Sequence, residues 1–498
     1  MDAKCFARIV ALCAASTLPV VHLAPGQGPL TPPGAPAPTM KSLDQIASTG
    51  IPINAANTPG NGTNQFIISA AGSYYLTGNL NGVSGMNGIL INAANVTVDL
   101  NGFQMAGING SLTAITDGGV NHGNATIRNG SIINWGDNGV DLSHSFDSLV
   151  SDLIVTNNGA IGLSLGDASV ARDCMMRNNN GDNILTGFNA NLSHCTAVGS
   201  ATGNGFDLGQ DSTMTDCVAN FNAVHGINAA LGCQLSRCTA NQNASTGISA
   251  SDGVLLDACL AYNNTSAGII CGAASTLRGC VANNNGNSTT VVALQTSSNC
   301  TLVDCTASNN TAQYGLVANP GSTVSHCTAS NNTSNQTTSG GILAAGSTIT
   351  DCTTNGNANT SANPSNNTGM GIYCNGGDSL IERCTSAGNK GDGINVVDRC
   401  LVRGNLANDN GAAGVHSTGS GSEIDGNQAT NNGGPGIQVD ATINLIVRNA
   451  ARANGGAGNY SVAAGNRVAT IFLPTVGSAS GNTGGTTFST DPAANVAY

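Results

Sequence analysis

Gly226-Ile227-Asn228-Ala229, a turn, and Gln234-Leu235-Ser236-Arg237-Cys238-Thr239-Ala240 recur 21 residues on. The second copy reads Gly247-Ile248-Ser249-Ala250, then Leu255-Leu256-Asp257-Ala258-Cys259-Leu260-Ala261. Apolar residues inside each segment lie two apart, which is the period of a strand. Segments of four or five residues are too short to pack as helices. An Asn-rich stretch with turn character separates one copy from the next.

Aligning further copies outward gives one ladder of equivalent positions. It runs Asn101, Asn129, Asp152, Cys174, Cys195, Cys217, Cys238, Cys259, Cys280, Cys305, Cys327, Cys352, Cys384, Asn405, Asn427 and Asn449. Most intervals are 21 or 22 residues, and a fixed period in this range marks a stacked repeat. Apolar columns accompany the ladder: Ile227, Ile248, Ile269 after the Gly; Leu235, Leu256, Leu277 three before it; Ala240, Ala261, Ala282 two after it. Three short strands per 21 or 22 residues predict an all-β fold, a single-stranded right-handed parallel β-helix of about 16 coils with N- and C-terminal caps. Stacked at about 4.8 Å per coil, the repeats would span about 70 Å. A leucine-rich repeat has a similar period but needs a Leu-x-x-Leu-x-Leu motif and a helical segment, and neither is present.

The Gly-Ile-x-x unit with its inward Asn/Cys ladder resembles the right-handed parallel β-helix proteins, the fold of pectate lyases and related polysaccharide enzymes. The resemblance covers roughly residues 60 to 470. The leader Gln27 to Pro36 is similar to that of bacterial secreted β-helix repeat proteins. The resemblance implies a fold and a link to carbohydrate; it leaves activity open, because function lies in sites grafted on folds.

Composition narrows the partners. The chain has 498 residues, 67 Gly, 8% charged residues and a net charge of −12. A nucleic-acid partner would need basic stripes and is not expected. No apolar run reaches the ~18 residues of a spanning helix, so no membrane span is expected. The oligomeric state is left open. Lys4 and Arg8 precede an apolar stretch from Ile9 to Val21, so residues 1–24 read as an export signal and the location as secreted, extracellular or periplasmic. Residues 25–40 are proline-rich and read as a linker. Residues 41–87 are expected to cap the array, 88–458 to form the repeats, and 459–498 to form the C-terminal cap and tail.

Of the 17 Cys, ten are ladder rungs and two, Cys5 and Cys13, fall in the signal. Cys233, Cys300 and Cys400 share a turn offset, and Cys271 and Cys374 share an inward column. No Cys-x2-Cys pair occurs, so no metal site and no cofactor is expected. Parallel Cβ vectors suit disulfides poorly, and the favoured reading is stacked buried thiols.

Two groups of residues are catalytic candidates. Asp182, Asn204, Asp207, His225 and Asn228 fall on three consecutive coils, which places two carboxylates and an imidazole near one another. Just before the ladder the order Asp173, His194, Asp216, Arg237 is repeated as Asp304, His326, Asp351, Arg383. Each has a bland reading, a hydrated strand edge for the first and a solvated charge ladder for the second, and these are favoured. Aromatic residues such as Trp135, Phe146, Phe188 and Phe221 stand at scattered offsets. The function favoured on these grounds is a non-catalytic rod that binds polysaccharide or cell-surface glycans or serves the envelope structurally. The alternative is a polysaccharide lyase, hydrolase or epimerase.

Overall fold

The computed structural model describes residues 50–287, 291–360, 369–456, 458–472, 479–481 and 491–498. The expected export signal and linker, and the first residues of the expected N-terminal cap, lie outside them. No described residue is helical.

The quoted unit shows how one coil forms. Ile227–Ala229, Gln234–Ser236 and Thr239–Asn241 are its three strands. Each pairs in parallel with the next copy, as Ile227 with Ile248, Leu235 with Leu256 and Ala240 with Ala261. The strands meet at three tight corners, each using one left-handed residue: Gly232 (φ 72), Arg237 (φ 51) and Gln242 (φ 53). Ile227, Ala229, Leu235, Cys238 and Ala240 point inward and are buried. Burying each Ile or Leu is worth about 1.5–3 kcal/mol, so the stack is held mainly by these columns. Gly247 is required by close approach: a Cβ there would sit 2.5 Å from Asn264 Nδ2 and 2.7 Å from the Gly268 carbonyl.

The strands of the Ile227 type form a first sheet of nineteen strands, from Asn64–Ile68 to Ala479–Gly481. The solenoid is therefore right-handed and parallel as expected, but with about 19 coils rather than 16. Parallel pairing already begins at Ile51–Pro52, which pairs with Tyr74 and Tyr75. Eighteen steps of about 4.8 Å give a stack of about 86 Å.

The ladder is inward and buried from Cys174 onward. Its first three members, however, belong to a different position. Asn101, Asn129 and Asp152 are exposed corner residues with φ of 54, 61 and 54. Gly130 and Leu153 are register partners and stand in the column that Cys174 continues. Register is unbroken here: Asp152 aligns with Asp173, the corner residue before Cys174, with the same left-handed backbone. At the other end the column changes chemistry. Asn405 Nδ2 donates to Asn427 Oδ1 (2.9 Å), Asn427 to Asn449 (3.0 Å) and Asn449 to Asn495 (3.1 Å).

A second internal ladder was hidden in the Asn-rich turns. Asn222, Asn243, Asn264, Asn285, Asn310 and Asn332 are buried and linked in series, each Nδ2 donating to the next Oδ1 at 2.9–3.2 Å. Buried amides are tolerated because every group is paired. Sequence alone presents these residues as turn composition, yet one Asn of each turn belongs to the core.

Candidate functional site

The residue after the inward Ile position of each first-sheet strand lies on the opposite face of the sheet, where Ser164, Val317, Asn395 and His416 are nevertheless buried. In register this row reads Asp141, Ser164, Leu185, Asp207, Asn228, Ser249, Ile270, Gln295, Val317, Leu343, Tyr373, Asn395, His416, Gln438 and Ser461. Two polar stretches flank a central band of Ile270, Val317 and Leu343 that Gln295 interrupts.

The first stretch gathers the candidates read from sequence. Asp182 Oδ1 accepts the Asn204 amide N–H at 2.5 Å, and Asn204 Oδ1 accepts the His225 amide N–H at 3.1 Å. Asn204 Nδ2 and Asn228 Nδ2 both donate to Asp207, at 3.4 and 2.9 Å. Burial pushes the Asp182 carboxyl above its ordinary 3.8; the Asn204 N–H opposes this and the nearby Asp207 charge adds to it. Burial pushes His225 below its ordinary 6.5, against a backbone hydrogen bond and the pull of Asp207. Its Nδ1 is buried without a partner. The arrangement presents hydrogen-bonding groups on three successive coils, and its side-chain amides are committed to Asp207.

The second stretch was not found from sequence. His416 is buried between two carboxylates, with Nδ1 2.8 Å from Asp392 Oδ2 and Nε2 2.8 Å from Asp440 Oδ2. Asp392 is itself buried, taking the Asn395 side-chain N–H at 2.7 Å and the Ala413 amide N–H at 2.8 Å. Gln438 Nε2 donates to the exposed Asp440 at 3.0 Å. Burial opposes protonation of His416, but Asp392 and Asp440 outweigh it and raise its pKa above 6.5. For Asp440 burial is likewise outweighed, by Gln438 and His416, and its carboxyl is held below 3.8. The sequence signal is two successive intervals of 24 residues, Asp392 to His416 to Asp440. That spacing links different columns of neighbouring coils, so a comparison of like with like passes over it.

The repeated charge stripe sits on corners of left-handed backbone: His194 and His326 both have φ of 52. Arg237 holds Asp216 through two N–H donors at 2.8 Å, and Arg383 holds Asp351 at 2.9 and 3.0 Å. Hydrogen bonding by these guanidinium groups keeps both carboxyls below 3.8. His194 Nε2 stands 3.8 Å from Asp216. These carboxylates are engaged by arginine in the open, which is the geometry of a solvated charge ladder.

Aromatic placement is more ordered than the offsets suggested. Trp135 is buried, whereas Phe146 and Phe188 are 48% and 51% exposed. The amide of Asp147 bonds Asp167 and that of Ala168 bonds Phe188, so Phe146 and Phe188 lie on one corner row two coils apart. Phe188 is three residues beyond Leu185, on the coil next to Asp207. A hollow of about 410 Å³ over the strands of the Gln234–Ser236 type, with Gln234, Asp257 and Arg278 in its lining, contains neither polar stretch. No group of three or more His, Cys, Asp or Glu side chains converges as a metal site among the described residues. Among them no helix is long and apolar enough to cross a membrane.

Fold and surface together define a right-handed β-helix with an outward polar row. The profile of the family described as "Right handed beta helix region" matches residues 209–359 and 344–483, and the chain belongs to that family. No curated protein matches the sequence. Similar solved structures include the A-module of mannuronan C-5 epimerase AlgE6 from Azotobacter vinelandii, at 13% identity, covering 75% of this chain and 91% of that one, with a TM-score of 0.29. The periplasmic alginate epimerase AlgG matches at 10% identity over 80% and 84%, with a TM-score of 0.27. A tailspike protein of E. coli bacteriophage HK620, in complex with a hexasaccharide, matches at 14% identity over 72% and 73%, with a TM-score of 0.33.

Proposed function

We propose that this chain is an exported rod that binds neutral glycan chains along the outward face of its first sheet, without cleaving them. The observation that carries this reading is the Asp182–Asn204–Asp207–His225–Asn228 stretch beside the exposed ring of Phe188. Carboxylate and amide oxygens accept from sugar hydroxyls, and an exposed ring offers a face for the apolar side of a sugar. Stacked coils repeat such groups every ~4.8 Å, which suits a linear polymer. The net charge of −12 and the two aspartates disfavour a polyanion. Affinity electrophoresis against neutral and uronic-acid polysaccharides, with a parallel assay for new chain ends, tests this. Retardation by neutral polymers without products supports it. Products, or no retardation by any glycan, refute it.

His416 favours a second reading. An imidazole between two carboxylates is an acid–base group, so the chain would instead be a polysaccharide lyase, hydrolase or epimerase. Both carboxylates are bound to the imidazole rather than free as the pair a hydrolase needs, which is why binding is preferred. Product formation that disappears in His416→Gln would establish the enzyme.

A further inference from the structure

The ten cysteines of the internal column play no part in glycan binding. All are free and buried. On every one of the ten rungs Sγ lies 3.2–3.5 Å from the carbonyl oxygen two residues earlier in its own coil. The same side-chain conformation therefore repeats from Cys174 to Cys384, and the sulfurs repeat with the coils, about 4.8 Å apart. The Cys195 amide reaches Cys217 Sγ at 3.3 Å.

Three sulfur chemistries compete for such a column. A disulfide needs its sulfurs about 2.05 Å apart, less than half the rung spacing. Zinc needs four ligands around one point, and a straight column offers two per gap. A two-coordinate soft ion needs one sulfur on either side. Two metal–sulfur bonds of about 2.3 Å span about 4.6 Å, which matches one rung. Thiolate sulfur is also the donor that selects copper(I).

We infer that the cysteine column binds soft monovalent cations, copper(I) above all, each held linearly between the thiols of two neighbouring coils. The charge balances inside the stack. The ion enters with one positive charge, one thiol gives up its proton to solvent, and the second sulfur binds as the intact thiol. The unit RS–Cu–S(H)R is neutral, so the dry interior gains no net charge. Nothing is oxidised or reduced. The corner residue before each Cys is at least partly exposed; Asp173, His194, Asp304 and His326 stand there, while Asp216 and Asp351 are taken by Arg237 and Arg383 of the same row.

The test is an anaerobic titration of the full-length protein with copper(I) supplied as its acetonitrile complex. Uptake is followed by the thiolate-to-copper charge-transfer band, by proton release and by X-ray absorption at the copper edge. Two variants remove the same number of cysteines. The alternating variant carries Cys195→Ala, Cys238→Ala, Cys280→Ala, Cys327→Ala and Cys384→Ala, leaving sulfurs about 9.6 Å apart. The block variant carries Cys280→Ala, Cys305→Ala, Cys327→Ala, Cys352→Ala and Cys384→Ala, leaving five adjacent rungs. Cysteines outside the column are common to all three proteins and cancel. The column of the unaltered protein should take up about five ions, that of the block variant about two, and that of the alternating variant none, with one proton released per ion. Equal uptake by the two variants overturns the inference. If either variant fails to fold, the unaltered protein still decides: a shell of two sulfurs supports it, and nitrogen or oxygen donors, four sulfurs or no uptake overturn it.

Discussion

Asn263 and Asn264 are adjacent and identical in kind, yet mutation should cost much at Asn264 and little at Asn263. Asn264 is buried, and its Nδ2 donates to the Ala240 carbonyl at 3.0 Å and to Asn285 Oδ1 at 2.9 Å. Its Oδ1 accepts the Asn243 backbone N–H at 3.0 Å and the Asn243 side-chain N–H at 2.9 Å. Asn264→Ala removes four hydrogen bonds and strands two buried donors on Asn243. At ~1–3 kcal/mol for each orphaned group, the loss should be about 4 kcal/mol. Asn263 instead supplies a left-handed corner with φ of 55. Glycine adopts that conformation freely, so Asn263→Gly should change stability by less than about 0.5 kcal/mol. Urea unfolding followed by circular dichroism measures both. Because a solenoid can lose its coils in stages, the comparison uses the transition that contains this coil. Equal effects from the two substitutions, or a loss below about 1 kcal/mol for Asn264→Ala, would refute the claim that the Asn ladder is part of the core.

Ile443 is a β-branched residue at φ 67 and is 73% exposed, while its row neighbours Gly421 and Gly465 hold φ of 76 and 85. Relief of left-handed strain makes Ile443→Gly stabilising by about 1 kcal/mol, read as a higher urea midpoint with an unchanged slope. Proton NMR titration should place the His416 pKa above 6.5 and that of His225 below it. The raised pKa of His416 stabilises the fold fully below 6.5, and this contribution is lost as pH rises through the folded value. The lowered pKa of Asp440 contributes above 3.8 and is lost as pH falls through the folded value. The clamp is thus strongest between 3.8 and 6.5, and His416→Gln should flatten the pH dependence of stability outside that window.

The fold was legible because identical residues stack on identical residues, so Cys238 above Cys217 in space is also Cys238 after Cys217 in the period. Legibility failed where a coil departed from the pattern. Asn129 and Asp152 resemble rungs in the sequence because the column beside them holds Gly130 and Leu153 rather than Cys or Asn. Asn264 was read as turn because its neighbour is one. The Asp182, Asp207 and His225 grouping could be read, since all three lie on consecutive coils of regular length. The Asp392–His416–Asp440 clamp could not, since its members come from three different columns. Phe146 and Phe188 looked unrelated because the turn before Phe146 is longer by two residues.

Glycan binding along the first sheet is tested most directly by calorimetric titration with a length series of neutral oligosaccharides. If the polymer lies across successive rungs, affinity rises with each added sugar until the polar stretch is spanned. Phe188→Ala and Asn228→Ala should then each weaken the longest ligand about tenfold, or ~1.4 kcal/mol, while the shortest is barely affected. Affinity that is independent of length, untouched by both substitutions, or absent for every neutral glycan would contradict the account.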